Sequence, residues 1–344
     1  MKTIATLGSH CALQILKGAK DEGFETVIIT KKSREGLYRR FDFVDNFIAV
    51  EHFSEITESA HLARLNELDS ILIPHGTLIS EVGIKKVEND LSIPFFGSRG
   101  ILKWEADRDL KERLMKESDF RTPKIFESAE DIDRLTIVKR SGAAGGFGYF
   151  LAKDLASFNE NMSRLRSAGI LQSDEEVQIQ EYVVGVPVYF QFFYSKVKNR
   201  LELIGIDRRY ETNVDGLGRL PAWEQLEMKE GFFPSYLVVG NSPLVLRESL
   251  LNYVFEMGEK FVEACTRLVP PGMIGPFCIE GVYNEKGDFI AFEFSGRIVA
   301  GTNLYVSGSP YSSLLFDQPV SMGRRIAIEI REGVESGSIG KLLT

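Results

Sequence analysis

The chain has 344 residues, 44% of them hydrophobic and 26% charged, which is enough apolar material for about two domains with their own cores. Its formal net charge of -8 argues against general nucleic-acid binding through a basic surface but leaves room for a local basic pocket that takes a phosphorylated small molecule. Cys11, Cys265 and Cys278 lie far apart, and His10, His52, His61 and His75 show no metal-ligand spacing, so no disulfide framework or thiolate zinc site is expected and a reducing cytoplasm fits.

Met1-Lys2-Thr3-Ile4 runs straight into a strand pattern, so no signal peptide is expected. No uncharged apolar run approaches the roughly 18 residues of a membrane span. Residues 3–7 read as a strand, Gly8-Ser9-His10 as a tight turn, and 12–21 as a helix with Leu13 and Leu16 on one side. Gly23 ends that helix, and strands follow at 26–30, 47–50, 70–74 and 94–96. Such alternation predicts a parallel sheet with helices on its faces. A charged helix is expected over 104–118, stopped by Thr122-Pro123. The texture then turns strand-rich, with strands at 137–139, 149–151, 177–182, 188–194 and 201–207 and one helix at 155–168. Ser242-Pro243 reads as an N-cap with proline at N1 of a helix running to about 268, where Pro270-Pro271-Gly272 breaks it. A hairpin over 276–295 and a helix over 323–335 complete the chain.

The hairpin is the most informative segment. With Lys286-Gly287 as its loop residues, Glu280 lies directly opposite Glu293. Ile279, Tyr283, Ile290, Phe292 and Phe294 then share an apolar face, and Glu280, Glu293, Ser295 and Arg297 share the other. Two carboxylates facing across a ladder repel each other. A bound Mg²⁺ or Mn²⁺ reverses that sign, because hard cations take oxygen ligands. Arg297 is then placed to neutralise developing phosphoryl charge. The same pattern also fits a solvated hairpin face.

A second signal is Ile137-Val138-Lys139-Arg140 running into Ser141-Gly142-Ala143-Ala144-Gly145-Gly146-Phe147-Gly148. Glycines let backbone N–H groups approach phosphate oxygens, and the lysine adds charge. It matches neither the Walker nor the Rossmann glycine pattern, so a flap of β-loop-β type or a plain flexible hairpin is expected. A third is Val177–Glu181 followed by Tyr182-Val183, a strand that delivers a carboxylate and then free backbone groups, as an adenine edge or a simple core strand would use. Gly8-Ser9-His10 at a helix N-terminus suits an anion. Pro74-His75-Gly76-Thr77 follows a strand, where open sheets bind ligands. Asp207-Arg208-Arg209-Tyr210-Glu211 is either substrate-facing or a mutually paired surface.

In this order the pieces resemble the ATP-grasp superfamily: a doubly wound pre-domain, a helix with an Asp-Lys-like pair (Asp107-Arg108), the Lys-glycine flap, the hinge strand, and the metal hairpin Glu280…Glu293-Phe294-Ser295-Gly296-Arg297. Serine stands at the asparagine of that last pattern. Gly8-Ser9-His10-Cys11-Ala12-Leu13-Gln14-Ile15, Asp207–Asn213, Leu268–Cys278, Phe294–Asn303, Gly308–Ser312 and Ser321–Ala327 resemble, nearly end to end, the archaeal-type formate-dependent FAICAR synthetases. The resemblance implies an α/β and α+β chain with the ATP-grasp fold. A pre-ATP-grasp domain would span 1–98, a linking helix 99–122, a small subdomain with the flap 123–205, and a large subdomain with the metal hairpin 206–344.

It also implies a cytoplasmic, homo-oligomeric ligase of purine synthesis that joins formate to the amine of 5-aminoimidazole-4-carboxamide ribonucleotide (AICAR) at the expense of ATP, with no nucleic-acid or membrane partner. His10, Thr77 and Asn241 would contact AICAR. Arg108, Lys139, Gly145, Gly146, Gly148, Glu181, Tyr182, Val183 and Glu211 would contact ATP. Glu280 and Glu293 would hold Mg²⁺ or Mn²⁺, and Arg297 and Lys139 would act on the phosphoryl group. The chain departs from the family at Ala144 and Phe147, where basic residues are usual, at Gln191, where histidine is usual, and at Ser98-Arg99-Gly100. These departures keep two alternatives open: a paralogous ligase with another carboxylate and amine, and a nucleotide-binding, non-catalytic partner of a synthetase.

Overall fold

Thr3-Ile4-Ala5-Thr6-Leu7 is apolar or β-branched at every position, and a strand buried on both faces suits such a run. In the computed structural model, which describes residues 3–140, 148–172, 174–227, 235 and 237–344, this run is an inner strand of a parallel sheet. The strands are β1 (Thr3–Leu7), β2 (Glu25–Lys31), β3 (Asn46–Val50) and β4 (Ser70–Leu72), in the order β3-β2-β1-β4. Alternation along β1 sends Ile4 to one face, with Ile15, Ile326 and Ile330, and Ala5 and Leu7 to the other, with Phe53, Leu78 and Phe95. The strand order reverses between β1 and β4, which opens a crevice beyond their carboxyl ends. On one face the helices Ala12–Asp21 and Met322–Glu335 meet backbone to backbone, since a Cβ at Gly18 would stand 2.2 Å from Arg324 N.

Four antiparallel strands follow: β5 (Ile125–Phe126), β6 (Thr136–Arg140), β7 (Phe150–Ala152) and β8 (Val177–Glu181), ordered β5-β8-β6-β7. They share a small core of Phe126, Val138, Phe150 and Ile179 with Met162 and Leu165 of the helix Leu155–Ser167. The third sheet holds β9 (Val186–Ser195), β10 (Arg200–Glu211), β11 (Val238–Pro243), β12 (Gly275–Tyr283) and β13 (Phe289–Ser295), ordered β11-β10-β9-β12-β13. One face is apolar: Phe190, Phe192, Leu203, Phe277, Ile279 and Phe294 pack on Val254, Phe261 and Cys265 of the helix Glu248–Leu268. Behind it, the fully buried Arg325 pairs with Glu202 at 2.6 Å and Glu329 at 3.0 Å, fixing the helix Met322–Glu335 to β10. No helix among the described residues is long and apolar enough to cross a membrane.

Several expectations are corrected. The helix expected over 104–118 is two helices, Arg99–Ala106 and Arg108–Glu117, because Asp107 is extended and its carboxylate caps the second by accepting from Leu110 N at 3.0 Å. β4 ends at Leu72, and residues 94–96 form no strand but two isolated bridges, Leu72↔Phe95 and Phe96↔Leu343. Ser242-Pro243 is no helix start: it ends β11, paired as Arg208↔Ser242 and Asp207↔Pro243, and the helix begins at Glu248. An edge strand tolerates proline, which has no N–H to donate to a ladder. The two antiparallel sheets part between Glu181 and Val186, so a boundary at 205/206 would cut the β9–β10 hairpin.

The hairpin register combines two offsets. Its loop spans 284–288, with Gly287 at φ +78° and Tyr283 opposite Phe289, one residue off the two-residue turn. A bulge between Glu280 and Gly281 takes up Phe292 and restores Glu280↔Glu293. The bulge also changes the faces. Phe289, Ala291 and Phe294 enter the core, while Phe292, expected there, packs with Tyr189, Cys278 and Val299 on the other side. Ile290 is likewise outside that core, only half-buried.

Candidate active site

The site has two walls. The first is the crevice of the parallel sheet, where the turns after β1 and β4 meet. His75 is buried; its Nε2 bonds Leu7 O at 2.9 Å and its Nδ1 accepts from Thr77 N at 3.3 Å. These partners fit the neutral ring, and burial pulls its pKa down to about 3. The Thr77 hydroxyl is 2.9 Å from His10 Nδ1, and the His10 ring stacks on His75 at 5.3 Å. Burial, then Arg297, lower the His10 pKa as well. His10 holds φ +45°, and Asn303 Nδ2 donates to its carbonyl at 3.0 Å. Gly76 leaves a gap between the walls: a Cβ there would stand 3.2 Å from His10 Nε2 and 3.3 Å from Arg297 Nη2.

The second wall is the polar face of the five-stranded sheet. Registers Arg209↔Asn241, Asp207↔Tyr189, Glu280↔Tyr189, Cys278↔Gln191 and Glu280↔Glu293 put these side chains on one continuous face. Glu280 is buried, 2.9 Å from Arg209 Nη2 and accepting from Ser295 Oγ at 3.1 Å. The Arg209 guanidinium lies over the Tyr189 ring at 3.8 Å. Glu293 pairs with Lys111 Nζ at 2.6 Å. Burial opposes its ionisation, yet Lys111 and Lys139 outweigh burial and hold its carboxyl below the usual carboxylate range. Lys139 arrives on β6, bonded to Gln180 Oε1, with its ammonium 5.6 Å from the Phe292 ring centroid; burial lowers its pKa.

Arg297 joins the walls. Its Nη2 is 2.9 Å from Glu105 Oε1, while Glu105 Oε2 accepts from Gly296 N at 2.8 Å. Burial raises the Glu105 pKa, opposed by Arg297 and Lys111. The next residue ties the sheets through the bridge His75↔Ile298. Arg297 Nε is buried without a hydrogen-bond partner among the described residues.

The protein contacts of Glu280 and Glu293 both fall on Oε1 among the described residues, so Oε2 of each remains a hard anionic donor. Two facing carboxylates fit a divalent cation of Mg²⁺ type. Among the described residues no three His, Cys, Asp or Glu side chains gather around one point, so such an ion would draw its remaining ligands from phosphate oxygens and water.

Of the other anticipated residues, Asn241 is on this wall, donating from Nδ2 to Asp207 Oδ2 at 2.8 Å. Glu211 ends β10, and burial, then Asp215, raise its pKa to about 7; burial, then the Glu211 charge, raise that of Tyr182, so the hinge lies nearby. The Glu181 carboxylate is spent within its own sheet, accepting from Lys124 N at 3.0 Å and Arg134 Nη1 at 3.3 Å, and the backbone N–H groups of Glu181 and Tyr182 donate to Lys124 O at 2.7 Å and Leu135 O at 2.9 Å. Arg108 opens the helix that carries Lys111 and is near enough to depress Lys139. Gly148 has φ +77° and sits against the Arg140 stem. Gly145, Gly146, Ala144 and Phe147 lie outside the described residues. Glu105 and Lys111 carry no motif role in the sequence, and Asp207 stands out there only as part of the charged cluster that runs to Glu211. Glu105, four residues after the buried Ile101 on one helix face, is a carboxylate on an apolar stripe, and that is the signal that could have found it.

Residues 4–126 match a protein family of unknown function, DUF1246, and residues 157–344 match a domain of unknown function, DUF1297. The chain is 51% identical over 100% of both lengths to the 5-formaminoimidazole-4-carboxamide-1-(beta)-D-ribofuranosyl 5'-monophosphate synthetase of Nitrosopumilus maritimus. It is similar to the crystal structure of an IMP biosynthesis protein, PurP, from Thermococcus kodakaraensis, at 30% identity and a TM-score of 0.79, over 99% of this chain and 100% of that one. A biotin carboxylase domain from Hydrogenobacter thermophilus in complex with MgADP shares the fold, at 14% identity and a TM-score of 0.65, over 94% of this chain and 69% of that one. The chain therefore belongs to the family of 5-formaminoimidazole-4-carboxamide-1-(beta)-D-ribofuranosyl 5'-monophosphate synthetases, which is built on the ATP-grasp ligase fold.

Proposed function

We propose that this chain joins formate to the 5-amino group of AICAR, with conversion of ATP to ADP and phosphate. The observation that carries the reading is Arg297, anchored on Glu105 at 2.9 Å between the facing pair Glu280–Glu293 and the His10–Gly76–Thr77 crevice. A phosphoryl group delivered over the carboxylate pair and an amine held in the crevice would meet at that guanidinium.

A formate oxygen attacks the γ-phosphorus as the bond to ADP breaks, which gives formyl phosphate. The AICAR amine attacks the formyl carbon, the C–O bond breaks, phosphate leaves, and the nitrogen loses a proton to solvent. Arg297 and Lys139 face the negative charge that spreads over the phosphoryl oxygens. His10 and Thr77 hold the ribonucleotide in the crevice, joined by Asn241 from the opposite wall. The hinge at Glu181-Tyr182-Val183 and Glu211 take the adenosine. Glu280 and Glu293 would hold Mg²⁺ or Mn²⁺, which supplies charge neutralisation along the phosphates when bound. No side chain is required as a nucleophile. The family's basic flap positions are Ala144 and Phe147 here, so Lys139, Arg108 and Arg297 carry a larger share of the positive charge.

The test is coupled ADP release with ATP, Mg²⁺, formate and AICAR, with one component left out at a time. Turnover that needs all four supports the reading. Turnover indifferent to formate or AICAR, or nucleotide binding with no turnover, rejects it.

A further inference from the structure

Asp207 is a buried carboxylate with no free direction. Its Oδ1 accepts from Gln191 Nε2 at 2.6 Å and its Oδ2 from Asn241 Nδ2 at 2.8 Å. Gly301 presses on it from the loop beyond the hairpin, since a Cβ there would stand 2.4 Å from either carboxylate oxygen. The three polar residues come from neighbouring strands: Gln191 on β9, Asp207 on β10 and Asn241 on β11.

An ionised carboxylate only accepts hydrogen bonds, whereas an amide has one donating and one accepting end. Both amides must therefore turn their NH₂ groups to Asp207, and both carbonyl oxygens point away from it. Gln191 is 1% exposed and Asn241 is half-buried on the edge strand, so the Asn241 carbonyl is the one a ligand can reach. We infer that Asp207 is a positioning residue that holds Asn241 with Oδ1 toward the substrate, so that the site selects an N–H donor there and rejects a carbonyl or phosphate oxygen. The inference rests on the placement of Asn241 at AICAR, whose amine and carboxamide both offer N–H groups. A buried group left unpaired by the wrong partner discriminates far better than a change of apolar bulk.

The test is an exchange of side chains. In Asp207→Asn the new amide has one accepting end, so one neighbour must turn round, and Asn241 at the edge is freer than Gln191. The AICAR KM rises about tenfold or more while the ATP KM stays within roughly twofold. In the double variant Asp207→Asn/Asn241→Asp, the amide at 207 donates to the carboxylate at 241, whose other oxygen again accepts from the substrate. Gln191 keeps its bond. The AICAR KM then returns to within about threefold of wild type. Asn241→Asp alone sets two carboxylates against each other and loses at least as much as Asp207→Asn. An unchanged AICAR KM in Asp207→Asn, or a double variant no better than the worse single one, overturns the inference. Should Asp207→Asn fail to fold, the double variant decides: a KM near wild type supports the inference, and a loss equal to that of Asn241→Leu overturns it. These comparisons are made once the wild-type protein shows AICAR-dependent ADP release; its absence is a failure of the functional reading instead.

Discussion

Glu105→Gln isolates what aims Arg297. The substitution keeps the shape of the side chain and removes its charge. Glu105 Oε2 accepts from Gly296 N at 2.8 Å and Oε1 faces Arg297 Nη2 at 2.9 Å, so the glutamine carbonyl can serve one of these and its NH₂ must face the other donor. Both partners are buried, with 6% of the Glu105 side chain and 15% of Arg297 exposed. Breaking one side of a buried pair costs about 3–5 kcal/mol, and the retained acceptor for Gly296 puts this case at the lower end, about 3 kcal/mol. With an unfolding entropy of roughly 2.1 cal/mol/K per residue over 344 residues, that is a fall in Tm of about 4 °C. The larger effect is on chemistry. Arg297 loses its anchor and kcat falls by about 10²- to 10³-fold, as on loss of a positioned charge-stabilising donor. ATP affinity, measured by calorimetry, stays within about twofold. Because burial raises the Glu105 pKa, the wild-type carboxyl takes up a proton as pH falls and comes to resemble the glutamine, so the difference in kcat narrows. A variant with the lowered Tm and an unchanged kcat would refute the role given to Glu105.

Glu293→Gln removes one of the two facing carboxylates and lowers ADP release by at least about 10²-fold, while AICAR binding by calorimetry stays within about twofold; equal loss of both would contradict the division of the site into two walls. Gly76→Ala places a methyl group 3.2 Å from His10 Nε2 and 3.3 Å from Arg297 Nη2, so the AICAR KM rises about tenfold with the circular dichroism unchanged. Arg325→Met leaves Glu202 and Glu329 buried without their shared cation and costs about 3–5 kcal/mol in denaturant unfolding, with kcat/KM at low temperature close to wild type. His75, ordinarily 6.5 and here pulled down to about 3, takes a proton in the unfolded chain before it does in the folded one. Stability therefore falls as pH drops from about 6.5 toward 3, and urea midpoints of His75→Asn lack that part of the slope.

Period and punctuation in the sequence carried the parallel sheet, the strand-rich texture after it and the two turns that form the crevice, whereas the break between the two antiparallel sheets, between Glu181 and Val186, was not legible. His10 and Thr77 were legible because turns at the carboxyl ends of parallel strands converge at a reversal of strand order. Glu280 opposite Glu293 was legible for a less direct reason. The loop is longer than a two-residue turn, and the bulge at Phe292 cancels the offset, so the pairing held while the faces of Ile290 and Phe292 did not. Ser242-Pro243 misled because serine before proline marks a helix start and also the last residues of an edge strand, and only the partner Arg208 distinguishes the two. Lys111 and Glu105 sit on helices that read as ordinary charged surface, and their roles exist only through Glu293 and Arg297, 182 residues from Lys111 in the one case. Asp207, Gln191 and Asn241 meet through the registers of three strands, one of them misread as a helix start, which no local pattern encodes.

The most direct test of the formyl-transfer account follows oxygen. With formate labelled at both oxygens with ¹⁸O, attack on the γ-phosphorus and later release of phosphate from the formyl carbon leave one label in inorganic phosphate and the other in the formylated product. Mass spectrometry of a turnover with AICAR, ATP and Mg²⁺ should therefore show singly labelled phosphate in proportion to ADP. Unlabelled phosphate released with ADP would mean that formate is never joined to the phosphoryl group, and the account would be wrong.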